Sequence, residues 1–258
     1  MRLLPAPAPR RLGPARFAAF ELAIWASVYG TYLAVRGLTI GSPHTALAHA
    51  ADVVDVERAV GCFREAALQE RLAPVADAFS TYYMLGFGPV IAAMALWLGL
   101  RRRESYRGFR NALLFSVGLA TLAYVFFPTA PPRLAGLGIH DTVGLSSHDT
   151  GSFLGIRFNP YAAVPSMHVG WSVLVAYFGL RAVRNRFGRA LFVAHPVVMA
   201  ITVTATGNHF FFDSVTGAAV ACLTLGVLER RRRHGRPRLR LVAADGERTF
   251  ADAERKAA

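Results

Sequence analysis

Asn159-Pro160-Tyr161-Ala162-Ala163-Val164-Pro165-Ser166-Met167-His168-Val169-Gly170-Trp171 ends a polar loop and opens an apolar run. It sets His168 in the expected first turn of a helix. Pro165 suits a helix start, where a missing N–H costs nothing. The free N–H groups that follow, with the positive end of the helix dipole, make a seat for an anion. His168 beside that seat can pass a proton to the leaving oxygen of a phosphate. Taken alone, this stretch fits a plainer reading slightly better: Pro-Ser caps a helix and His168 is an interfacial polar residue.

The apolar run behind His168 is one of several. Of 258 residues 53% are hydrophobic and only 17% charged, with a mean hydropathy of +0.34. A helix crosses a bilayer in roughly 17–25 apolar residues. Runs of that kind lie at about 17–35, 79–100, 111–127, 166–183, 190–206 and 213–228. None alternates as a membrane β-barrel strand does. The fold class is therefore all-α, a polytopic membrane protein: a six-transmembrane-helix bundle with an extracytoplasmic amphipathic helix. The expected division is a cytoplasmic segment 1–16, a membrane domain 17–229 and a basic cytoplasmic tail 230–258. Ala48-His49-Ala50 lies well past the first run, so that run reads as an uncleaved span rather than a signal peptide.

The amphipathic segment is 45–73. Val53, Val56, Val60, Phe63 and Ala67 recur at three- and four-residue spacing between Asp52, Asp55, Glu57, Arg58, Arg64, Glu65, Glu70 and Arg71. Such a helix is too polar to span. It lies on the membrane surface as a shield for a lipid site, or packs against the rim of the bundle.

The net charge of +13 is almost wholly arginine, since Lys256 is the sole lysine. The arginines cluster at run ends, which is topological use rather than nucleic-acid binding. Those before span one, between two and three, between four and five, and after six share one side. The positive-inside rule makes that side the cytoplasm and both termini cytoplasmic, with the plasma membrane as location. Arg133, His168 and His209 then share the outer face. Cys62 and Cys222, in an amphipathic stretch and in mid-span, require no disulfide.

The last outer segment reads Thr206-Gly207-Asn208-His209-Phe210-Phe211-Phe212-Asp213. On a helical turn, residues four apart share a face. A carboxylate on one imidazole nitrogen leaves the other free to attack. The competing reading has Asp213 as a helix cap and His209 as a loop residue.

Pro131-Pro132-Arg133, Pro165-Ser166-Met167-His168 and Gly207-Asn208-His209 with Asp213 follow in that order, at successive outer ends. Over about residues 80–228 this resembles the type-2 phosphatidic acid phosphatase superfamily, closest to the branch of inositol phosphorylceramide synthases and their bacterial relatives. The resemblance implies His209 as nucleophile through a phosphohistidine, Asp213 as its orienting partner, and His168 as the acid that protonates the leaving group. It implies Arg133, Ser166, the Met167 amide and Asn208 as the phosphate cradle, with no metal and no cofactor. The expected partners are a lipid substrate and the membrane, not nucleic acid. The runner-up is an inert lipid-binding or transport protein on the same scaffold.

Two of the motifs, the first and the third, depart from the family pattern. Phe126 stands where a lysine is usual and Leu134 where a proline follows the arginine; Thr202 and Val203 replace a Ser-Arg pair. Losing two cations disfavours a dianionic monoester and points to a singly charged phosphodiester lipid, its headgroup passed to an alcohol. Arg157 is a candidate substitute cation. His140-Asp141 and His148-Asp149 read as a solvated loop, with metal ligation as the alternative. His195-Pro196 reads as a kink near the cytoplasmic end of span five with a satisfied histidine. Trp25, Trp97 and Trp171 read as interface or packing aromatics.

Overall fold

The structure, a computed structural model, describes residues 13–38, 42–144, 152–153, 156–157 and 159–234. His148, Asp149, the Arg157 side chain, residues 1–12 and residues 235–258 lie outside the described residues. The described chain is helical: α1 Pro14–Leu38, α2 Pro43–Ala59, α3 Glu65–Leu72, α4 Ala76–Leu85, α5 Gly88–Arg101, α6 Arg103–Phe126, α7 Met167–Ala182, α8 Arg186–Ala205 and α9 Phe211–His234. A two-residue antiparallel ladder, β1 Ser152–Phe153 with β2 Ile156–Arg157, is its only sheet among the described residues.

Helices fall on all six apolar runs, but they are not all alike. By length and composition α6, α8 and α9 through Arg233 can cross a bilayer. A fourth crossing arises where Glu65–Leu85 and Gly88–Arg101 are one span bent by 41°. The break in what reads as the continuous run 79–100 sits at Gly86-Phe87-Gly88-Pro89, because Pro89 has no N–H to donate back into the preceding turn. The helix α7 has only 16 residues. The helix α9 continues through Arg230–Arg233, past the expected end of span six at 228.

The segment 45–73 is likewise two helices, not one. After Val60 the chain turns at Gly61 (φ +73°), with Gly61 N–H on the Arg58 carbonyl and Cys62 N–H on the Glu57 carbonyl. This double bond pattern around a left-handed glycine is a helix stop. The face of α2 that packs inward is also not the one its valines suggest. Ala46, Ala50, Val53, Val54 and Glu57 are buried, while Val56 and Val60 are exposed. The buried face joins Ala130, Val164 and Phe210 in one cluster. Thus α2 packs on the loops of all three motifs, which is the rim alternative.

In α1 Glu21, buried, pairs with Arg110 and accepts from the Tyr106 hydroxyl at 2.8 Å, tying α1 to α6. Trp25 leans on the same tyrosine at 3.5 Å, and Trp171 donates to the Ser116 hydroxyl at 3.0 Å. His195 stands in the middle of α8, not near its end, and its Nδ1 pairs with the Tyr82 hydroxyl at 2.7 Å. It is a satisfied histidine beside an internal proline.

Candidate active site

Main-chain hydrogen bonds knit the three motifs before any side chain is considered. Thr129 N–H bonds the Tyr161 carbonyl at 2.8 Å, and Arg133 N–H bonds the Gly207 carbonyl at 3.0 Å. Ser166 N–H bonds the Asp213 carbonyl at 2.9 Å, and Ala130 N–H reaches the Ala46 carbonyl of α2 at 3.0 Å. Buried backbone groups need partners, and here each loop finds them in another loop. Gly207 (φ +71°) makes one of these crossings possible, since a Cβ there would lie 2.7 Å from the His140 carbonyl oxygen.

Helix α7 begins at Met167 with Ser166 as its N-cap. Pro165 therefore stands outside the helix, in a cis peptide bond with Val164, rather than in its first turn. Its carbonyl accepts from the Tyr124 hydroxyl at 2.9 Å. Ser166 is fully buried and its Oγ has no hydrogen-bond partner. The Met167 amide belongs to the first turn, where N–H groups lack intrahelical acceptors.

His168 follows, with its ring between Tyr83 at 4.6 Å and Phe87 at 4.2 Å, centroid to centroid. Its neighbour across the site is His209, the two ring centroids 5.6 Å apart and the planes at 60°. His209 Nδ1 lies 3.0 Å from the Ala163 carbonyl and 3.1 Å from Asp213 Oδ2. Both are acceptors, so Nδ1 holds the hydrogen and Nε2 keeps its lone pair. Burial, followed by the nearby Arg133 cation, pushes the His209 imidazole down to about 3, and its bond to Ala163 opposes them. The ring is neutral throughout the physiological range.

Asp213, in the first turn of α9, is fully buried and also accepts from Phe210 N–H at 2.9 Å. It both caps the helix and holds His209. Arg133 points one Nη at the Asn208 carboxamide oxygen, and its Nε stands 3.8 Å from Asp141 Oδ2. Burial lowers the guanidinium from its ordinary value, while Tyr83 and Asp141 oppose this. Asn208 in turn donates to the Thr206 hydroxyl at 2.9 Å. Its amide thus bridges Arg133 and Thr206.

Asp141 is the correction to the loop reading. The loop at 139–144 is built rather than loose: Asp141 Oδ1 accepts from Val143 and Gly144 N–H, both at 3.0 Å. Gln69 of α3 bonds the His140 main chain at both its N–H and its carbonyl, each at 2.8 Å, and the Ala205 carbonyl at 2.9 Å. His140 itself is exposed. The motif Asp-x-x-Gly was the available signal for a turn stabilised by its own aspartate. The family positions without a cation are equally plain. Phe126 is 78% exposed at the end of α6, and Val203 is buried in α8.

Two glycines set how closely α7 and α9 meet. A Cβ on Gly217 would fall 2.0 Å from the Ser166 carbonyl oxygen, and one on Gly170 would fall 2.8 Å from the Gly217 carbonyl oxygen. An apolar groove of about 500 Å³, lined by Leu180, Val193 and Val197 among others, lies between α7 and α8 and includes none of these polar groups.

The crystal structure of Aquifex aeolicus LpxE is similar to this chain at 16% identity and a TM-score of 0.45, covering 60% of this chain and 86% of that one. No curated protein matches. The family profile described as PAP2 superfamily matches residues 51–227, a stretch that holds the second half of α2 and all three motifs. The chain belongs to the PAP2 superfamily.

Proposed function

We propose that the protein is an integral membrane lipid phosphatase or phosphotransferase, working at the extracytoplasmic face of the plasma membrane through a phosphohistidine on His209. The observation that carries this reading is the pair of imidazoles 5.6 Å apart, one with its Nδ1 proton committed to Ala163 and Asp213. His209 Nε2 attacks phosphorus and the bond to the leaving oxygen breaks. His168 protonates that oxygen and then takes a proton from the incoming water or alcohol, whose oxygen displaces His209. Arg133, the Ser166 hydroxyl and the Met167 amide meet the charge on the phosphoryl oxygens, and such positioning and charge stabilisation supply most phosphoryl-transfer catalysis. Asn208 supports Arg133.

The preferred substrate in this proposal is a phosphodiester lipid, with transfer of its phospho-headgroup to an alcohol, as in the inositol phosphorylceramide synthase-like branch. The missing cations at Phe126 and Val203 support it. So does Asp141, a carboxylate 3.8 Å from the arginine that would otherwise face a dianion alone. A topology of six spans with cytoplasmic termini fits the arginines: in α6, α7 and α8 the motif end is opposite the end carrying Arg103, Arg181 and Arg186.

The test is incubation of the purified protein with vesicles carrying labelled phosphatidic acid or labelled phosphatidylinositol, with and without a long-chain alcohol. Label passing from the diester to the alcohol, lost in His209→Ala, is the expected result. Release of inorganic phosphate from the monoester with no use of the diester overturns the transfer reading. Lipid binding without any turnover leaves the inert scaffold as the answer.

A further inference from the structure

Three carboxyl groups converge on the start of α9, and the mechanism above uses one. Phe210 N–H is taken by Asp213, Phe211 N–H by Glu65 Oε1 at 3.2 Å, and Phe212 N–H by Glu57 Oε1 at 2.6 Å. The first N–H groups of a helix lack intrahelical acceptors, so three successive orphan donors are satisfied by acids from α9, α3 and α2. Glu57 and Glu65 are both fully buried, at 1% and 0% exposure, and no donor among the described residues reaches their Oε2 atoms. Their sequence surroundings gave no hint of burial, since both sit among charged residues.

We propose that Glu57 and Glu65 are a positioning pair for the His209–Asp213 dyad, two carboxyl groups that hold the first turn of α9 from outside and share one proton. Two buried carboxylates side by side do not both ionise, because the like charges repel and neither is solvated. The two carboxyl groups accept from adjacent N–H groups of α9, so they stand side by side, and one proton held between them would give their unpartnered Oε2 atoms a hydrogen bond. Burial, then Glu65, pushes the Glu57 carboxyl up to about 9, with the Phe212 amide opposing and the Asp213 charge adding to the rise. Cys62, in the turn between α2 and α3, faces the same charges, and they and its burial raise its thiol. One proton on the pair keeps two acceptors on α9 while limiting the negative charge beside Asp213. Asp213 then keeps its aim on His209 Nδ1, so the catalytic reading of His209 is the premise of the kinetic arm below.

The sign of the pH effect follows. An unfolded Glu57 loses its proton near 4.5 and the folded one near 9, so the folded state binds more protons in between. Stability contributed by this group therefore falls as pH rises from about 4.5 to about 9. Glu57→Gln keeps the acceptor for Phe212 N–H, supplies an N–H to Glu65, and cannot titrate.

The experiment compares full-length wild type, Glu57→Gln, Glu65→Gln and Glu57→Leu. It measures kcat and KM on labelled phosphatidylinositol and phosphatidic acid vesicles, and Tm in detergent from pH 5 to 9. Glu57→Leu should lower kcat about 10- to 100-fold, as misplacement of a reacting group does, with little change in KM. Glu57→Gln should restore kcat and flatten the fall of Tm with pH relative to wild type. Unchanged kcat in Glu57→Leu, or a Gln variant as damaged as the Leu variant, overturns the proposal. If Glu57→Leu does not fold, the Gln variants decide, and a Tm–pH slope identical to wild type in both overturns it. The thermal arm needs no substrate: no turnover of either lipid together with a flattened slope sinks the enzymatic reading and leaves the proton-sharing pair.

Discussion

His209 carries its hydrogen on Nδ1 because both groups within reach of that nitrogen accept. The ring proposed as nucleophile is therefore aimed by its surroundings before substrate arrives. Its low protonation point has a measurable consequence. An unfolded histidine takes up a proton near 6.5 and the folded one only near 3, so stability from this group rises with pH across that window. His209→Asn should show a shallower fall of Tm from pH 6.5 towards 4 than wild type, by calorimetry in detergent. In the proposed mechanism His168 is the general acid, and replacing it with Ala should cost about 100- to 10,000-fold in kcat, the range for such a group. A kcat within threefold of wild type would remove it from the mechanism. Asp141 is the residue to test for selectivity. Asp141→Asn removes the countercharge 3.8 Å from Arg133, so the ratio of monoester to diester turnover should rise about tenfold, the scale of one screened ion pair near 1.4 kcal/mol.

At the scale of elements, the start of α9 is the meeting point: it presents Asp213, follows His209, and is held by α2 and α3. Its approach to α7 depends on the absence of side chains at Gly170 and Gly217. Gly217→Ala places a methyl group 2.0 Å from the Ser166 carbonyl oxygen, a backbone atom that cannot swing aside. Overpacking of this kind costs about 1–3 kcal/mol. Here it should also displace Ser166 and His168 from His209, so kcat should fall about 100-fold although no reacting group is touched. Glycine 226, with nothing near its would-be Cβ, is the control position for alanine. The helix break in 45–73 was legible in Gly61, a residue that ends helices in the left-handed conformation. It was masked by apolar spacing that runs on across the break. The burial of Glu57 and Glu65 was not legible, because their partners are main-chain N–H groups 155 and 146 residues away.

For the whole molecule, the arginine ends and the motif ends of α6, α7 and α8 are opposite. The orientation proposed here predicts that a single cysteine at Gly136, in a Cys62→Ser/Cys222→Ser background, reacts with an impermeant maleimide in intact cells. A cysteine at Arg102 should react only after permeabilisation; the reverse pattern would put the site on the cytoplasmic side. Topology of this kind is local information, since an apolar run and a flanking charge each act on the bilayer without help from the rest of the chain. The three motifs, their order and the residues Arg133, His168, His209 and Asp213 were therefore readable from the sequence alone. What only the tertiary structure decided is which groups surround them: Asp141 on Arg133, Asn208 turned to the same guanidinium, α2 and α3 clamping α9. The Asn208 contact and the clamp on α9 join segments far apart along the chain, and the partners of the clamp are backbone atoms, whose chemistry is the same at every residue and leaves no mark in the order of side chains.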